Sequence, residues 1–131
     1  MISPNASIVR KTYENFAKGD ISLVLEAFDP SITWHVPGQS PISGDYRGSD
    51  EIVGFFKQTL ALCGGIFAIE LHRLLADDNI VVALVTVKAE RNGRSAAFEE
   101  VHVWRVSDGK ITAFHEFQGD EQTEDRFWSL S

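Results

Sequence analysis

Phe98-Glu99-Glu100-Val101-His102-Val103-Trp104-Arg105-Val106 runs through Ser107-Asp108-Gly109 into Lys110-Ile111-Thr112-Ala113-Phe114-His115-Glu116-Phe117-Gln118. Two β-prone runs joined by Asp-Gly read as a hairpin, because both turn positions must accept a positive φ. The same grammar extends upstream. Arg91-Asn92-Gly93-Arg94 joins a run over 80–90 to one over 96–106, and Asp77-Asp78-Asn79 joins a run over 66–75 to the 80–90 run. The second half of the chain is therefore a four-strand antiparallel meander.

The first half has a different period. Ser3-Pro4 offers a capping serine and a proline at the first helical position, and Val9, Tyr13, Phe16 and Ala17 follow on one face. Gly19 ends that helix. Asp20 caps a short second one carrying Val24, Ala27 and Phe28, which Pro30 stops. A strand is predicted over 32–36 and a Gly/Pro/Ser-rich loop over 37–48. Ser49 then caps a long helix with Asp50 and Glu51 in its first turn. Ile52, Phe55, Phe56, Thr59, Leu60 and Cys63 lie on its apolar face, and Gly64-Gly65 ends it. The tail from Asp120, with Phe127-Trp128, reads as a short packed helix. Helices first and a meander afterwards imply an α+β fold. At 131 residues the chain is expected to form one domain over 1–131.

Composition excludes some functions. Nineteen acidic against twelve basic residues give a net charge of -7, which repels a nucleic-acid backbone. The one cysteine, Cys63, leaves no intrachain disulfide and no cysteine metal cluster. Met1-Ile2-Ser3-Pro4-Asn5 lacks the basic start and apolar run of a leader, and no apolar stretch reaches the roughly 18 residues of a membrane span. A cytoplasmic protein with no nucleic-acid or membrane partner is expected.

Period-2 alternation sorts the strand residues into faces. Phe98, Glu100, His102, Trp104 and Val106 share one face, opposite Glu99, Val101, Val103 and Arg105. Ile111, Ala113, His115 and Phe117 oppose Thr112, Phe114, Glu116 and Gln118. Thr33 and His35 oppose Ile32, Trp34 and Val36. Two of the four histidines, His35 and His102, thus lie on strands beside tryptophans, and imidazole titrates near neutrality.

The element order resembles the nuclear-transport-factor-2-like superfamily. So do Trp34-His35-Val36-Pro37-Gly38 with Pro41, Gly44, Tyr46 and Arg47-Gly48, the run Val101 to Val106 leading into Asp108-Gly109-Lys110-Ile111, and Phe117 to Asp120 with Asp125, Phe127 and Trp128. Together these resemble its SnoaL-like, ketosteroid-isomerase-like group over nearly the whole chain. The resemblance implies a cone-shaped, curved, mixed/antiparallel sheet wrapped around three N-terminal helices and holding a deep apolar pocket. It places His35 where steroid isomerase keeps its base and His102 where it keeps a protonated aspartate. Thr12 aligns with its oxyanion tyrosine, with Tyr13 one position away. All three positions depart from steroid isomerase, so the pocket is what carries over.

The expected function is a small-molecule pocket protein doing general acid/base chemistry of isomerase, cyclase or dehydratase type on an apolar, carbonyl-containing substrate. His35 relays a proton, and His102, oriented by Glu100 or Glu116, donates to a developing oxyanion. Trp34, Tyr13, Phe16, Phe55, Val85, Val87, Trp104, Phe114, Gln118 and Asp120 are the expected ligand contacts. The alternative is a non-catalytic ligand-binding domain of the same fold. A metal held by His35, His102, Glu100 and Glu116 lacks a supporting His-x-His spacing, so neither metal nor other cofactor is expected. The resemblance also implies a homodimer through the outer sheet face, with Val101, Val103, Arg105, Ala113, His115 and Phe117 at the contact.

Overall fold

The computed structural model describes residues 3–130. Met1 and Ile2, part of the stretch read as lacking a leader, and Ser131 at the end of the tail lie outside the described residues. The elements are α1 (Pro4–Ala17), α2 (Ile21–Glu26), β1 (Phe28–Val36), β2 (Gly44–Arg47), α3 (Gly48–Leu62), β3 (Phe67–Asp77), β4 (Ile80–Arg91), β5 (Arg94–Ser107), β6 (Lys110–Gln118) and α4 (Glu121–Trp128). The strands form one curved, unclosed sheet in the order β2-β1-β6-β5-β4-β3. Every neighbouring pair is antiparallel except β1 with β6, which is parallel. The expected α+β architecture is the observed one. No helix among the described residues is long and apolar enough to cross a membrane.

Local chemistry accounts for the elements. The Ser3 hydroxyl accepts from the Ala6 N–H, and Pro4 occupies the first turn of α1, where its missing N–H costs nothing. The Asp20 carboxylate caps α2 through the Leu23 N–H. In the meander turns Asp78, Asn92 and Asp108 all take positive φ, near 51°. The sheet then buries one face. Val81, Ala83, Val85, Val87 and Ala89 on β4 and Phe98, Glu100, His102, Trp104 and Val106 on β5 all point inward.

Four local expectations need correction. Phe28 and Pro30 belong to β1, not to the end of α2. The β1–β6 register shifts between Phe28 and Thr33, so Pro30 sits at an irregularity where a missing N–H is tolerated. The loop expected over 37–48 contains β2, a four-residue edge strand that pairs Val36 with Gly44 and His35 with Asp45. Its Gly/Ser/Pro surroundings hide so short a strand. Helix α3 starts at Gly48 without a side-chain cap from Ser49; instead the Glu51 carboxylate reaches back to the Arg47 N–H at 2.8 Å. Finally, Ile111 faces inward with Phe114, not outward with Ala113, because the β5–β6 register shifts between Arg105 and Val106. A one-residue slip flips the face of everything beyond it.

Helix α4 closes the open end of the sheet. Asp120 caps it through the Thr123 N–H, and Phe127 and Trp128 are buried against Phe98 and Phe67. Burying Phe127 alone is worth roughly 2 kcal/mol. Arg91, beside the Asn92-Gly93 turn, donates to the carbonyls of Trp128 and Leu130. On the other side Asp125 accepts the Gln39 N–H at 3.0 and 3.1 Å. Gly38 precedes that contact with φ of 97°, and a β-carbon there would collide with Asp125 Oδ1. Gly38→Ala is therefore expected to cost roughly 2 kcal/mol and to loosen α4, seen as a lower melting temperature and faster proteolysis after the helix. An unchanged melting curve would contradict that account of the clamp.

Candidate functional site

The inner face of the sheet, α1, α3 and α4 enclose a cavity of about 70 Å³. Its walls are aromatic: Phe16 from α1, Phe55 and Phe56 from α3, Trp34 from β1, Phe67 from β3, Trp104 from β5, Phe114 from β6 and Trp128 from α4. Trp34 stacks on Phe114 with ring centroids 3.8 Å apart and meets Trp104 edge-on at 5.6 Å. These rings come from four strands and three helices, so only the closed fold assembles them.

One end of the cavity is polar. Tyr13 from α1, Glu100 and His102 from β5, Glu116 from β6 and Glu124 from α4 all line it. Glu100 and His102 stand two apart on one strand and so share a face. The register sets His102 directly opposite Glu116. Tyr13 reaches them from α1, which puts Val9 and Tyr13 on its buried side.

The hydrogen bonds at this end have a direction. Trp104 Nε1–H is only a donor, and it donates to the Tyr13 hydroxyl at 3.0 Å. The Tyr13 O–H lies 2.6 Å from His102 Nδ1 and donates to it, which leaves the ring proton on Nε2. That proton is donated to Glu100 Oε1 at 2.8 Å. The chain therefore runs Trp104, Tyr13, His102, Glu100, with the tautomer of His102 assigned from its partners.

Burial sets the protonation states. His102, 3 % exposed, is driven down to a pKa of about 4 and is neutral at pH 7. Burial likewise raises the Tyr13 hydroxyl. Desolvation pushes Glu100 well above the usual carboxyl range, with the nearby Glu116 charge adding to it. Glu124 is pushed up to about 11 by desolvation and then by its hydrogen bond to Glu100. Glu116 is also raised by burial, but His102, the Gln118 side chain and Glu100 all pull it back. The Gln118 amide donates to Glu116 Oε2 at 2.7 Å. Glu124 and Glu100 thus hold protons, and Glu116 is the carboxyl most readily ionised. Among the described residues, two polar atoms at the cavity have no hydrogen-bond partner: Glu124 Oε2 and the Trp34 indole N–H.

The structure separates the two histidines expected to share the cavity. His35 lies on the outer face, its Nδ1 2.6 Å from Asp45 Oδ1 and its ring 4.4 Å from that of His115. The reason is elementary. Trp34 and His35 are adjacent on β1, so one must face out when the other faces in. The outer face also carries Val103, Arg105, Ala113 and Phe117, the last half exposed.

Other expected contacts divide similarly. Tyr13, Phe16, Trp34, Phe55, Val87, Trp104 and Phe114 line the cavity beside Glu100, His102 and Glu116. Val85 is buried on the inner face but lies off the cavity. Gln118 acts through Glu116, and Asp120 caps α4; neither lines the cavity. Glu124 and Trp128 were not anticipated. Their spacing with Phe127, at i, i+3 and i+4 in the tail helix, was the available signal.

The donor atoms of Glu100, His102 and Glu116 lie within 4.8 Å of one another. One imidazole and two carboxylates suit Zn or Fe. A cation there would displace the His102–Glu100 bond, since both ring nitrogens are engaged.

Known proteins place this architecture. An uncharacterised protein of Mycobacterium tuberculosis is 31% identical over 123 residues, 93% of this chain and 94% of its own. Bal32a, from a soil-derived mobile gene cassette, is 32% identical with a TM-score of 0.91, over 95% of this chain and 96% of that one. A nuclear-transport-factor-2-like protein of unknown function from Burkholderia pseudomallei is 27% identical with a TM-score of 0.89, over 98% and 100%. The SnoaL-like domain matches residues 9–114. The chain belongs to the SnoaL-like family, on the nuclear-transport-factor-2-like fold.

Proposed function

We propose that the cavity binds a small, largely apolar molecule and moves a proton on it, in a reaction of isomerase, cyclase or dehydratase type. The observation that carries this reading is the meeting of Glu124, Glu100 and Glu116 at one end of the cavity, where burial raises all three carboxyls and His102, Gln118 and Glu100 pull Glu116 back. A base and an acid side by side, both raised above the ordinary carboxyl range, are what proton transfer at carbon needs.

Glu116 takes a proton from carbon beside a carbonyl, and the C–H electron pair moves into the enolate. The unpartnered Trp34 N–H and the protonated Glu100 offer donors for the oxygen. The proton then returns to carbon from the carboxyl row. His102 is a positioning residue here. Neutral and bonded at both nitrogens, it orients Glu100 and ties it to Tyr13 and Trp104. His35 takes no part.

Deuterium exchange tests this reading. Cyclohexanone and cyclohexenone in D2O, followed by NMR, are expected to exchange α-protons faster with the protein than in buffer. Glu116→Gln is expected to lower that excess at least tenfold, and His35→Ala to leave it unchanged. No excess exchange, or equal exchange by Glu116→Gln, contradicts the assignment. One observation favours ligand binding without turnover: the Trp104–Tyr13–His102–Glu100 hydrogen bonds all run between protein groups. A ligand bound and recovered unchanged, with no exchange, supports that second reading.

A further inference from the structure

We propose that the ligand of this cavity carries a protonated amine, held by Glu124, Glu100 and Glu116 and flanked by the aromatic wall. The inference rests on the cavity being the ligand site and adds the charge of what enters it.

Two buried carboxyls, Glu100 and Glu124, and the half-buried Glu116 meet at one end of the cavity, and among the described residues no lysine or arginine lines it. An ionised carboxylate without a partner is costly in such a place, so the free protein keeps protons there. An ammonium group removes that need: it supplies the countercharge, and one carboxyl proton leaves to solvent as it binds. Overall, one cation enters and one proton departs, so the buried charge is unchanged.

The hydrogen-bonding capacity points the same way. The Tyr13 O–H and the His102 Nε2–H are already committed to partners inside the protein. Glu124 is 2 % exposed and its Oε2 has no partner. Beside the Trp34 indole N–H, the groups left to meet a ligand are carboxyl oxygens, which suit N–H donors once a proton has left them. The rings of Trp34, Trp104 and Phe114 surround the same space, and aromatic faces attract a desolvated cation. A carboxylate ligand would add a further negative charge with nothing to balance it. An alcohol or a ketone without an amine would use the walls and a single hydrogen-bond donor, and would bring no charge to balance the remaining carboxyls.

The test is a charge series of constant shape. Calorimetry at pH 7 compares benzylamine with benzyl alcohol and benzoate, and butylamine with 1-butanol and butyrate. The ammonium members are expected to bind at least tenfold more tightly than the alcohols, with the carboxylates weakest. Their heats are expected to depend on buffer ionisation enthalpy, reporting about one proton released per site. Glu124→Gln is expected to weaken the amines at least tenfold while changing the alcohols less than twofold. Glu116→Gln is the second variant should the first fail to fold, and the wild-type series needs neither. Alcohols or carboxylates binding as well as the amines overturns the proposal and leaves the apolar cavity standing. So does amine binding that is indifferent to both variants, which would place it on the acidic surface. No binding by either amine overturns it as well, and the ketone exchange measurement then decides separately whether the cavity turns substrate over.

Discussion

His102→Ala is expected to destabilise the protein by about 3 kcal/mol, although no residue of the outer surface changes. The imidazole is 3 % exposed and bonded on both sides. Removing it leaves the Tyr13 hydroxyl without an acceptor and Glu100 without its N–H donor, each costing about 1–3 kcal/mol when buried. It also leaves space against the ring of Phe114, whose centroid lies 4.9 Å from that of the imidazole. For a domain of this length such a loss lowers the melting temperature by roughly 10 °C. His35→Ala is the natural comparison. That ring is partly exposed and its Asp45 partner mostly so, and a surface pair is worth roughly 1 kcal/mol at most. Chemical denaturation of the two variants measures the contrast. A His102→Ala loss under 1 kcal/mol, or one matched by His35→Ala, would refute the buried hydrogen-bond chain.

Stability is expected to fall as pH rises above about 6.5. Glu124 has its pKa raised from 4.5 to about 11, so between those values the folded protein holds a proton that the unfolded chain has released. Stability then declines with rising pH, by up to about 1.4 kcal/mol per unit for one such group. Glu100 and Glu116 are shifted in the same direction. His102 opposes them over a limited window. Its pKa is lowered from 6.5 to about 4, so there the unfolded chain binds the proton that the folded ring refuses, and stability rises with pH. Above 6.5 that compensation ends and the carboxyl slope stands alone. From pH 6.5 to 8.5 the loss is expected to reach about 2–3 kcal/mol, with the three carboxyls titrating as a coupled set. Glu124→Gln, which cannot ionise, is expected to flatten the slope. Denaturant midpoints at pH 6.5, 7.5 and 8.5 for both proteins provide the check. A wild-type profile flat across this range would remove the buried protonated carboxyl from the account.

Much of the architecture was written in local chemistry. Asn92-Gly93 and Asp108-Gly109 permit the hairpin turns whatever surrounds them, because the demand is on φ at those two residues. The apolar period of Ile52, Phe55, Phe56 and Thr59 likewise declares an amphipathic helix. The alternation of Glu100, His102 and Trp104 put those three side chains on one face, and they line one cavity.

What alternation could not supply was a common orientation for strands far apart in the chain. His35 and His102 were each on a definite face of a definite strand, yet whether those faces coincide depends on which neighbour of each is taken inside. Trp34 is taken inside, stacked on Phe114, and His35 is therefore turned out. The register shift before Ile111 is a further tertiary decision, since the inward side chain there answers to β1 and to packing, not to its own strand's period. Glu124 shows the same limit. Its helix was visible in the tail, but only docking of α4 against the sheet brings its carboxyl to Glu100, some two dozen residues earlier in the chain. Residue type and spacing thus determined the elements and the faces within each, because those follow from backbone geometry over a few residues. The tertiary structure decided which faces meet, because burial is shared among segments that no local pattern connects.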